Sequence, residues 1–450
     1  MSKLRLAIVG AGPAGIYAAD LLIKSELRDF EVSIDLFDLL PAPYGLVRYG
    51  VAPDHPRIKG IIRALYEVLD RGDIRFFGNV EYGKDITLED LKQHYNAVIF
   101  ATGAIKDADL NIPGIDLDGS YGAADFVNWY DAHPDFPRQW PLNAKQVAVI
   151  GNGNVALDVA RVLAKLPDDM LSTDIPAHVY EGLKNSPVTD VHVFGRRGPA
   201  QVKFTPLELR EACHIEGVDA IVYDEDFKYD EGSQQAIDSN NQTRVMVNTL
   251  EQLREEKQTG GQRRLHLHFF SAPVEVLGED GKVVGLKIER TELDGKGGVV
   301  PTGEFRTFDV QAVYRAVGYF GSPLTEIPYD AKSGVIPNDG GRVLDSQGKA
   351  IPGVYATGWI KRGPVGLIGH TKSDALETIG NIIADRETWW QPASPEESQI
   401  DKLLNDRGVK VIDWAGWLKV DAKERELGET EGRERIKLFD RQDFETTAKG

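Results

Sequence analysis

Cysteine is almost absent. Cys213 is the single one in 450 residues, which excludes a disulfide framework, a cysteine-ligated iron–sulfur cluster and a redox dithiol within the chain. Electron chemistry, if present, has to ride on a bound cofactor. No run approaches the roughly 18 consecutive apolar residues of a membrane span, and no low-complexity tract interrupts the sequence. Basic residues are in deficit, with 52 Lys and Arg against 70 Asp and Glu, for a formal charge of −18. That acidity disfavours nucleic acid and anionic membrane surfaces as partners. Lys3 and Arg5 before the uncharged Leu6–Ala19 imitate a secretory signal, but Gly10, Gly12, Pro13 and Gly15 break the helix such a signal needs. The expectation is a cytoplasmic protein with no membrane insertion.

What is present is ordinary for a globular chain: 42% apolar and 27% charged residues, with 46 glycines that point to many tight βα turns. The length predicts two or three domains. Leu4–Val9 reads as a strand, followed by a glycine turn and a helix over Ala14–Lys24. Val32–Phe37 is a second strand and Ala97–Ala101 a third. Between them lies an irregular stretch with prolines at 41, 43, 53 and 56, whose aromatic and apolar content favours a functional loop. The same grammar restarts with a strand at Gln146–Ile150, a turn at Gly151–Asn154, a helix over Val155–Leu166 and a strand at Val191–Phe194. Residues 167–190 read as an insertion rich in Pro and Asp. Strands are expected over 263–317 with a hairpin at Asp294–Gly298, and Asp309–Val317 reads as a strand returning the chain to the first unit. Val354–Ala356 is another strand of that unit. Thr371 and Asp374 have capping-box spacing before a helix running towards Trp390. The last sixty residues are charged and helical in pattern and carry no chemical signal.

Two glycine fingerprints end differently. Gly10-x-Gly12-x-x-Gly15 follows a strand and opens a helix, the arrangement that places a pyrophosphate on a helix N-terminus. Asp38 ends the second strand, placed to accept from a ribose diol. Gly151-x-Gly153-x-x-Ala156 repeats the motif, but its second strand runs into Arg196 and Arg197. Guanidiniums there pair with a 2′-phosphate, whereas a carboxylate accepts from a 2′-hydroxyl. The first site therefore suits FAD or NAD and the second NADP. Two dinucleotide sites with no other redox group suggest hydride exchange between NADPH and a flavin. The predicted fold is α/β, with two Rossmann-like, three-layer dinucleotide-binding domains. The NADP domain (108–318) is inserted into a discontinuous FAD domain (1–107 and 319–450) that ends in a charged helical extension.

At this point the chain resembles the adrenodoxin-reductase-type ferredoxin–NADP(+) reductases over roughly residues 4 to 390. The resemblance rests on GAGPAG at 10–15, PAPYGLVRYGVAPDHPRIK at 41–59, FFGNV at 76–80, GNGNVALDVAR at 151–161, GRRGP at 195–199 and GWIKRGPVGLIG at 358–369. The proline-rich block and GWIKRGP are the specific parts. The resemblance implies FAD contacts from Gly10, Gly12, Ala14, Gly15, Asp38, Leu46, Val80, Trp359, Gly366, Leu367 and Ile368. Most relatives carry Glu at the position of Asp38, and Leu367 stands where the family usually has Val. It implies NADP contacts from Asn152, Gly153, Asn154, Val155, Arg196, Arg197 and Glu208, with Gly366 also at the nicotinamide end. His55 and Glu211 match the polar pair that relatives place near flavin and nicotinamide, in positioning and electrostatic roles. The family's partner is ferredoxin or a similar small iron–sulfur protein, or a flavodoxin, and its members are monomers.

Several readings compete. A basic docking patch of Arg48, Arg57, Lys59, Arg63, Lys361 and Arg362 near the flavin edge would reconcile an acidic partner with the chain's own charge. His266 and His268 alternate on one strand face, but without a third ligand in sequence no metal site is predicted. Cys213 reads as an inert small residue. The main alternative is a flavin subunit of a larger oxidoreductase such as a glutamate-synthase-like complex, whose cysteine-rich N-terminal extension has no counterpart here.

Overall fold

The computed structural model describes residues 3–366 and 368–450. The chain opens with the strands β1 (Lys3–Val9), β2 (Glu31–Asp38), β3 (Ile74–Gly78) and β4 (Ala97–Phe100). A short crossing strand, β5 (Lys106–Asp107), precedes β6 (Ser120–Gly122), β7 (Gln146–Ile150), β8 (Asp190–Phe194), β9 (Val218–Ile221) and β10 (Arg263–His268). Then come β11 (Ser271–Glu279), β12 (Lys282–Leu293), β13 (Val299–Phe308) and β14 (Ala312–Arg315), the second crossing strand β15 (Tyr319–Phe320), and finally β16 (Asn338–Asp339), β17 (Arg342–Leu344) and β18 (Ala350–Ala356). They form a seven-stranded sheet of order β16-β17-β18-β4-β1-β2-β3 and a six-stranded sheet of order β6-β14-β7-β8-β10-β9. A three-stranded sheet β11-β12-β13 and the ribbon β15-β5 complete the set among the described residues.

The helices that matter for the site are α1 (Pro13–Lys24), α2 (Pro56–Lys59), α3 (Ala123–Tyr130), α4 (Asn154–Ala164), α5 (Pro206–Cys213), α6 (Ile368–Ala384), α7 (Trp414–Glu429) and α8 (Arg441–Lys449). Within each large sheet the central strands are parallel, β1 between β2 and β4, and β7 between β8 and β14. Parallel strands are covered on both faces, so they are apolar without alternation; β1 is buried from Leu4 to Val9. Separate apolar cores lie on the two faces of each sheet, which gives two three-layer units. Pro13 opens α1, where its missing N–H costs nothing, and Ala18, Ala19 and Leu22 face inward.

Three sequence expectations change in three dimensions, and a fourth holds. The stretch Asp309–Val317 does not return to the first sheet: β14 pairs with β6 and β7, and the return comes one strand later, where Tyr319 pairs with Asp107. Val313 sits between two parallel neighbours, a position its short apolar run fills as well as the predicted one. The helix expected to start at Thr371 begins at Ile368, and Asp374 is no cap. Its carboxylate accepts the Gly358 N–H at 2.6 Å and pairs with Lys361 at 2.9 Å. The hairpin at Asp294–Gly298 forms, with Asp294 accepting from the N–H groups of Lys296 and Gly298. The C-terminal region is the larger correction: Trp417 and Phe444 are buried in the first unit's core, so this segment is structural and not a bland appendage. No helix among the described residues is long and apolar enough to cross a membrane.

Candidate functional site

The first glycine turn is shaped by close backbone approaches. Gly10 has φ +112°, and a Cβ there would lie 2.3 Å from the Ala101 carbonyl oxygen. At Gly15 a Cβ would come within 2.0 Å of the Gly10 oxygen, which is the tight helix–strand packing the third glycine permits. A Cβ at Gly12, by contrast, would meet only the Gly45 Cα at 3.8 Å, so the loop's outer side is open. Gly12 caps α1 without a side chain, leaving first-turn N–H groups for an anion. These features fit a pyrophosphate.

Other first-site residues gather around the turn through backbone contacts. The proline-rich loop docks on it through a Tyr44 N–H bond to the Ala11 oxygen at 2.8 Å, which brings half-buried Leu46 alongside. Val80 donates its N–H to the Asp38 oxygen at 2.9 Å. Gly358, with φ +77°, lies so near Ala14 that a Cβ would sit 2.6 Å from the alanine methyl, and half-buried Trp359 follows it directly. The Asp38 carboxylate is already engaged: it accepts from the N–H of Ala11 at 2.7 Å and of Leu40 at 2.8 Å. Burial outweighs these donors and pushes its pKa up to about 6. Gly366 is exposed with φ +85°. Leu367 lies outside the described residues, and of Ile368 only its place at the start of α6 is described.

The second turn repeats the design. Gly151 has φ +143° and would place a Cβ 2.2 Å from the Ala316 oxygen, while nothing lies within 4 Å of a Cβ at Gly153. Gly153 caps α4 without a side chain, and Val155 lies in that helix's first turn. Asn152 takes the Lys203 N–H on its backbone oxygen at 3.0 Å, and Asn154 Oδ1 accepts from Thr205 N–H at 2.9 Å, which pins α5 beside the turn. Arg196 and Arg197 follow β8; Arg196 is exposed and Arg197 half-buried. Their carbonyls are held by Thr291 and Phe270, yet neither guanidinium has a partner among the described residues. Two uncommitted guanidiniums at the end of this strand fit a 2′-phosphate.

His55 joins the two units. It is 2% exposed, and its Nε2 lies 3.0 Å from Asp158 Oδ1 and 2.6 Å from Glu208 Oε2, while Nδ1 lies 2.8 Å from Glu211 Oε2. Asp158 comes from α4 and the two glutamates from α5. Sequence reasoning paired His55 with Glu211 but missed Asp158 and Arg161, whose α4 spacing placed them on a helix face without saying what covered it. Arg161 binds Asp54 at 2.9 Å and Asp158 at 3.0 Å, and Lys165 joins Asp54 at 3.1 Å. Burial alone would lower the imidazolium's pKa, but the adjoining carboxylates of Asp158 and Glu208 override it and raise it to about 9. Desolvation raises the Glu211 carboxyl, and the Arg161 charge, against the cost of burial, holds Asp54 well below the usual carboxylate range. The Asp158 contact is an aligned hydrogen bond. Glu208 Oε2, Glu211 Oε2 and Arg161 Nη1 lack one. Buried acceptors and a donor left in this state fit a polar ligand group entering between the units.

The proposed docking patch does not exist as a surface. Arg48 is buried against Glu424 at 2.5 Å, Lys59 against Asp174 at 2.7 Å, and Lys361 against Asp374 and Glu377 at 2.9 and 2.6 Å. Arg362 pairs with Asp374 at 3.3 Å, which leaves Arg57 and Arg63 as the exposed members, Arg63 paired with Glu67. The carboxylates that bury Arg48, Lys59 and Lys361 come from other elements of the fold, which the linear sequence did not associate with them.

His266 and His268 acquire the third histidine that the sequence left out of reach, because β8 and β10 pair His192 with His266. The rings stack, with 4.2 Å and 12° between His192 and His266. Parallel planes keep their in-plane lone pairs from converging on one point, and His266 is already bonded to Asp190 and Tyr223. Cys213 is buried, which pushes its thiol up to about 12 and makes it inert.

Two parallel-sheet units, each with a glycine turn shaped for a dinucleotide phosphate and facing each other across a histidine, define a pyridine-nucleotide oxidoreductase architecture. Residues 4–193 match the family model described as pyridine nucleotide-disulphide oxidoreductase. The chain is 41% identical to the Mycobacterium tuberculosis NADPH-ferredoxin reductase FprA, with 97% of each chain covered. It is 38% identical to the mitochondrial NADPH:adrenodoxin oxidoreductase of Arabidopsis thaliana over 98% of this chain and 94% of that one. The structure of Mycobacterium tuberculosis FprA in complex with NADPH superposes with a TM-score of 0.91 at 38% identity, covering 100% of both chains. The chain belongs to the NADPH-ferredoxin and NADPH:adrenodoxin reductase family.

Proposed function

We propose that the chain is an FAD-dependent NADPH:ferredoxin reductase, with FAD on residues 1–107 and 319–450 and NADP on 108–318. The observation that carries the reading is the pair of open glycine turns with opposite second-strand endings, Asp38 in one unit and Arg196–Arg197 in the other, joined through His55. Bound FAD supplies a ring that accepts two electrons as a hydride and releases them singly, which nicotinamide does not do.

The chain's own residues bind and orient. Gly10, Gly12, Ala14 and Gly15 hold one pyrophosphate at the N-terminus of α1, and Leu46, Val80, Trp359 and Gly366 line the flavin. Asp38 fixes the turn through the Ala11 and Leu40 N–H groups and keeps lone pairs for the ribose. Asn152 to Val155 hold the second pyrophosphate, Arg196 and Arg197 the 2′-phosphate, and Gly366 the nicotinamide end. His55 stays an imidazolium among Asp158, Glu208 and Glu211. It holds its proton at Nε2 towards Asp158 and orients the region between the two units without passing that proton on. The electron acceptor is a ferredoxin or similar small iron–sulfur protein, with a flavodoxin as a second acceptor, and the enzyme is a cytoplasmic monomer.

NADPH-driven cytochrome c reduction, with and without added ferredoxin and after recording the visible spectrum, tests the reading. A flavin spectrum with strong stimulation by ferredoxin is expected. A colourless protein overturns the FAD assignment, and flavin without stimulation points to a subunit of a larger complex.

A further inference from the structure

The C-terminal segment runs from one unit to the other. Helix α7 lies on the first unit: Glu424 clamps Arg48 at 2.5 Å, Trp417 packs edge-on to Tyr44, and Trp414 donates to Asp70 at 3.1 Å. The strap that follows crosses to the second unit. Lys437 donates to the Arg48 oxygen at 2.9 Å on one side, and on the other pairs with Asp131 at 3.0 Å and Asp174 at 3.4 Å. Phe439 meets His178 edge-on, and Asp440 pairs with Arg138. Arg441 closes the strap. Its guanidinium binds both oxygens of Asp135 at 2.7 Å, and reaches back to the Leu39 oxygen at 3.0 Å and Asn79 Oδ1 at 2.6 Å. Leu39 and Asn79 adjoin Asp38 and Val80 of the first turn.

The strap also touches the His55 centre at one remove. Lys59 ends α2, the short helix that His55 caps, and its N–H bonds the His55 oxygen at 3.1 Å. Its ammonium is held by both oxygens of Asp174 at 2.7 Å, and Asp174 is the same carboxylate that Lys437 reaches. Strap, second unit and His55 loop thus share one buried set of two lysines and two aspartates.

We infer that Lys437 and Arg441 are positioning residues for hydride transfer: the strap they sit on holds the second unit against the first so that His55 stays seated between Glu208 and Glu211. The inference rests on the NADPH-to-flavin reading above. A fixed strut of this kind replaces the domain rotation that a bare two-strand linker, β5 with β15, would otherwise allow. Reactant positioning is sensitive to displacements of about 1 Å, which cost roughly 100-fold in rate.

The test uses the full flavoprotein. Arg441 and Asp135 are 31% and 42% exposed, so Arg441→Ala should leave a folded protein, since pairs of that exposure contribute little to stability. Flavin bleaching by NADPH under single turnover is expected to slow roughly 10- to 100-fold in Arg441→Ala and in Asp135→Arg. NADPH affinity should stay within about twofold, and dithionite reduction should be unchanged. Arg441→Lys, which still carries a donating cation, should keep most of the rate, and Lys437→Met should reproduce the loss. Single variants that bleach at the wild-type rate overturn the inference and leave the reductase reading intact. Equal slowing with dithionite overturns it too, because that marks general damage. A wild-type protein that NADPH does not reduce overturns the reductase reading and the inference with it.

Discussion

His55 Nδ1 lies 2.8 Å from Glu211 Oε2, a contact between residues 156 positions apart that belong to different units. The histidine reaches across from the proline-rich loop beside the first glycine turn, and the glutamate from a helix pinned to the second. Asp158 and Glu208 complete the ring of carboxylates on the other nitrogen. One charged imidazole therefore reports whether the two nucleotide sites are correctly opposed.

That charge makes a pH prediction. The imidazolium titrates at about 9 in the folded protein, above the roughly 6.5 of an unfolded chain. Its contribution is therefore fully present below pH ~6.5 and is lost as the pH rises through about 9. Urea midpoints at pH 6.5 and 9.5 should show the wild type losing on the order of 2–3 kcal/mol over this window. His55→Gln should lack that component, and an identical pH slope in both proteins would contradict the assignment.

The nucleotide preference should rest on the two arginines after β8. Replacing both Arg196 and Arg197 by Ala is expected to lower kcat/KM for NADPH by roughly 100-fold and to change NADH turnover little. Steady-state kinetics with both nucleotides decide it, and parallel losses would show that the pair does not read the 2′-phosphate.

Gly10→Ala tests the first turn. With φ +112° and a Cβ 2.3 Å from the Ala101 oxygen, the substitution has no unstrained solution. A loss of about 2–4 kcal/mol is expected, together with loss of flavin on purification. Absorbance at flavin wavelengths and a denaturation curve measure both, and a stable yellow variant would sink the argument.

Lys361 was a docking candidate by sequence and is a buried structural cation instead. Lys361→Met leaves Asp374 with Arg362 as its one cationic partner among the described residues and should destabilise the protein by about 2–4 kcal/mol. The salt dependence of the ferredoxin KM should not move. A weakened, less salt-sensitive interaction in a protein of unchanged stability would restore the docking role.

The local chemistry was legible along the chain, because each element of it is a short-range rule. A glycine that must turn, an open helix N-terminus and a charge at the end of the next strand all fall within one βα unit, so the two dinucleotide turns and their opposite endings are written in neighbouring residues. Val354–Ala356 as a first-unit strand and the hairpin at Asp294–Gly298 were readable for the same reason. Tertiary structure alone decided which charges meet. Arg48, Lys59 and Lys361 look like a basic surface until Glu424, Asp174 and Asp374 arrive from 376, 115 and 13 residues away and bury them. His192 joins His266 only through strand pairing, and Asp158 and Arg161 meet the His55 loop only when the two units close. The charged C-terminal stretch carries no periodic signal of its function, because its contacts are single ion pairs and ring edges scattered over both units. Side-chain partners set by packing between distant segments leave no spacing rule in the sequence, and only the closed fold specifies them.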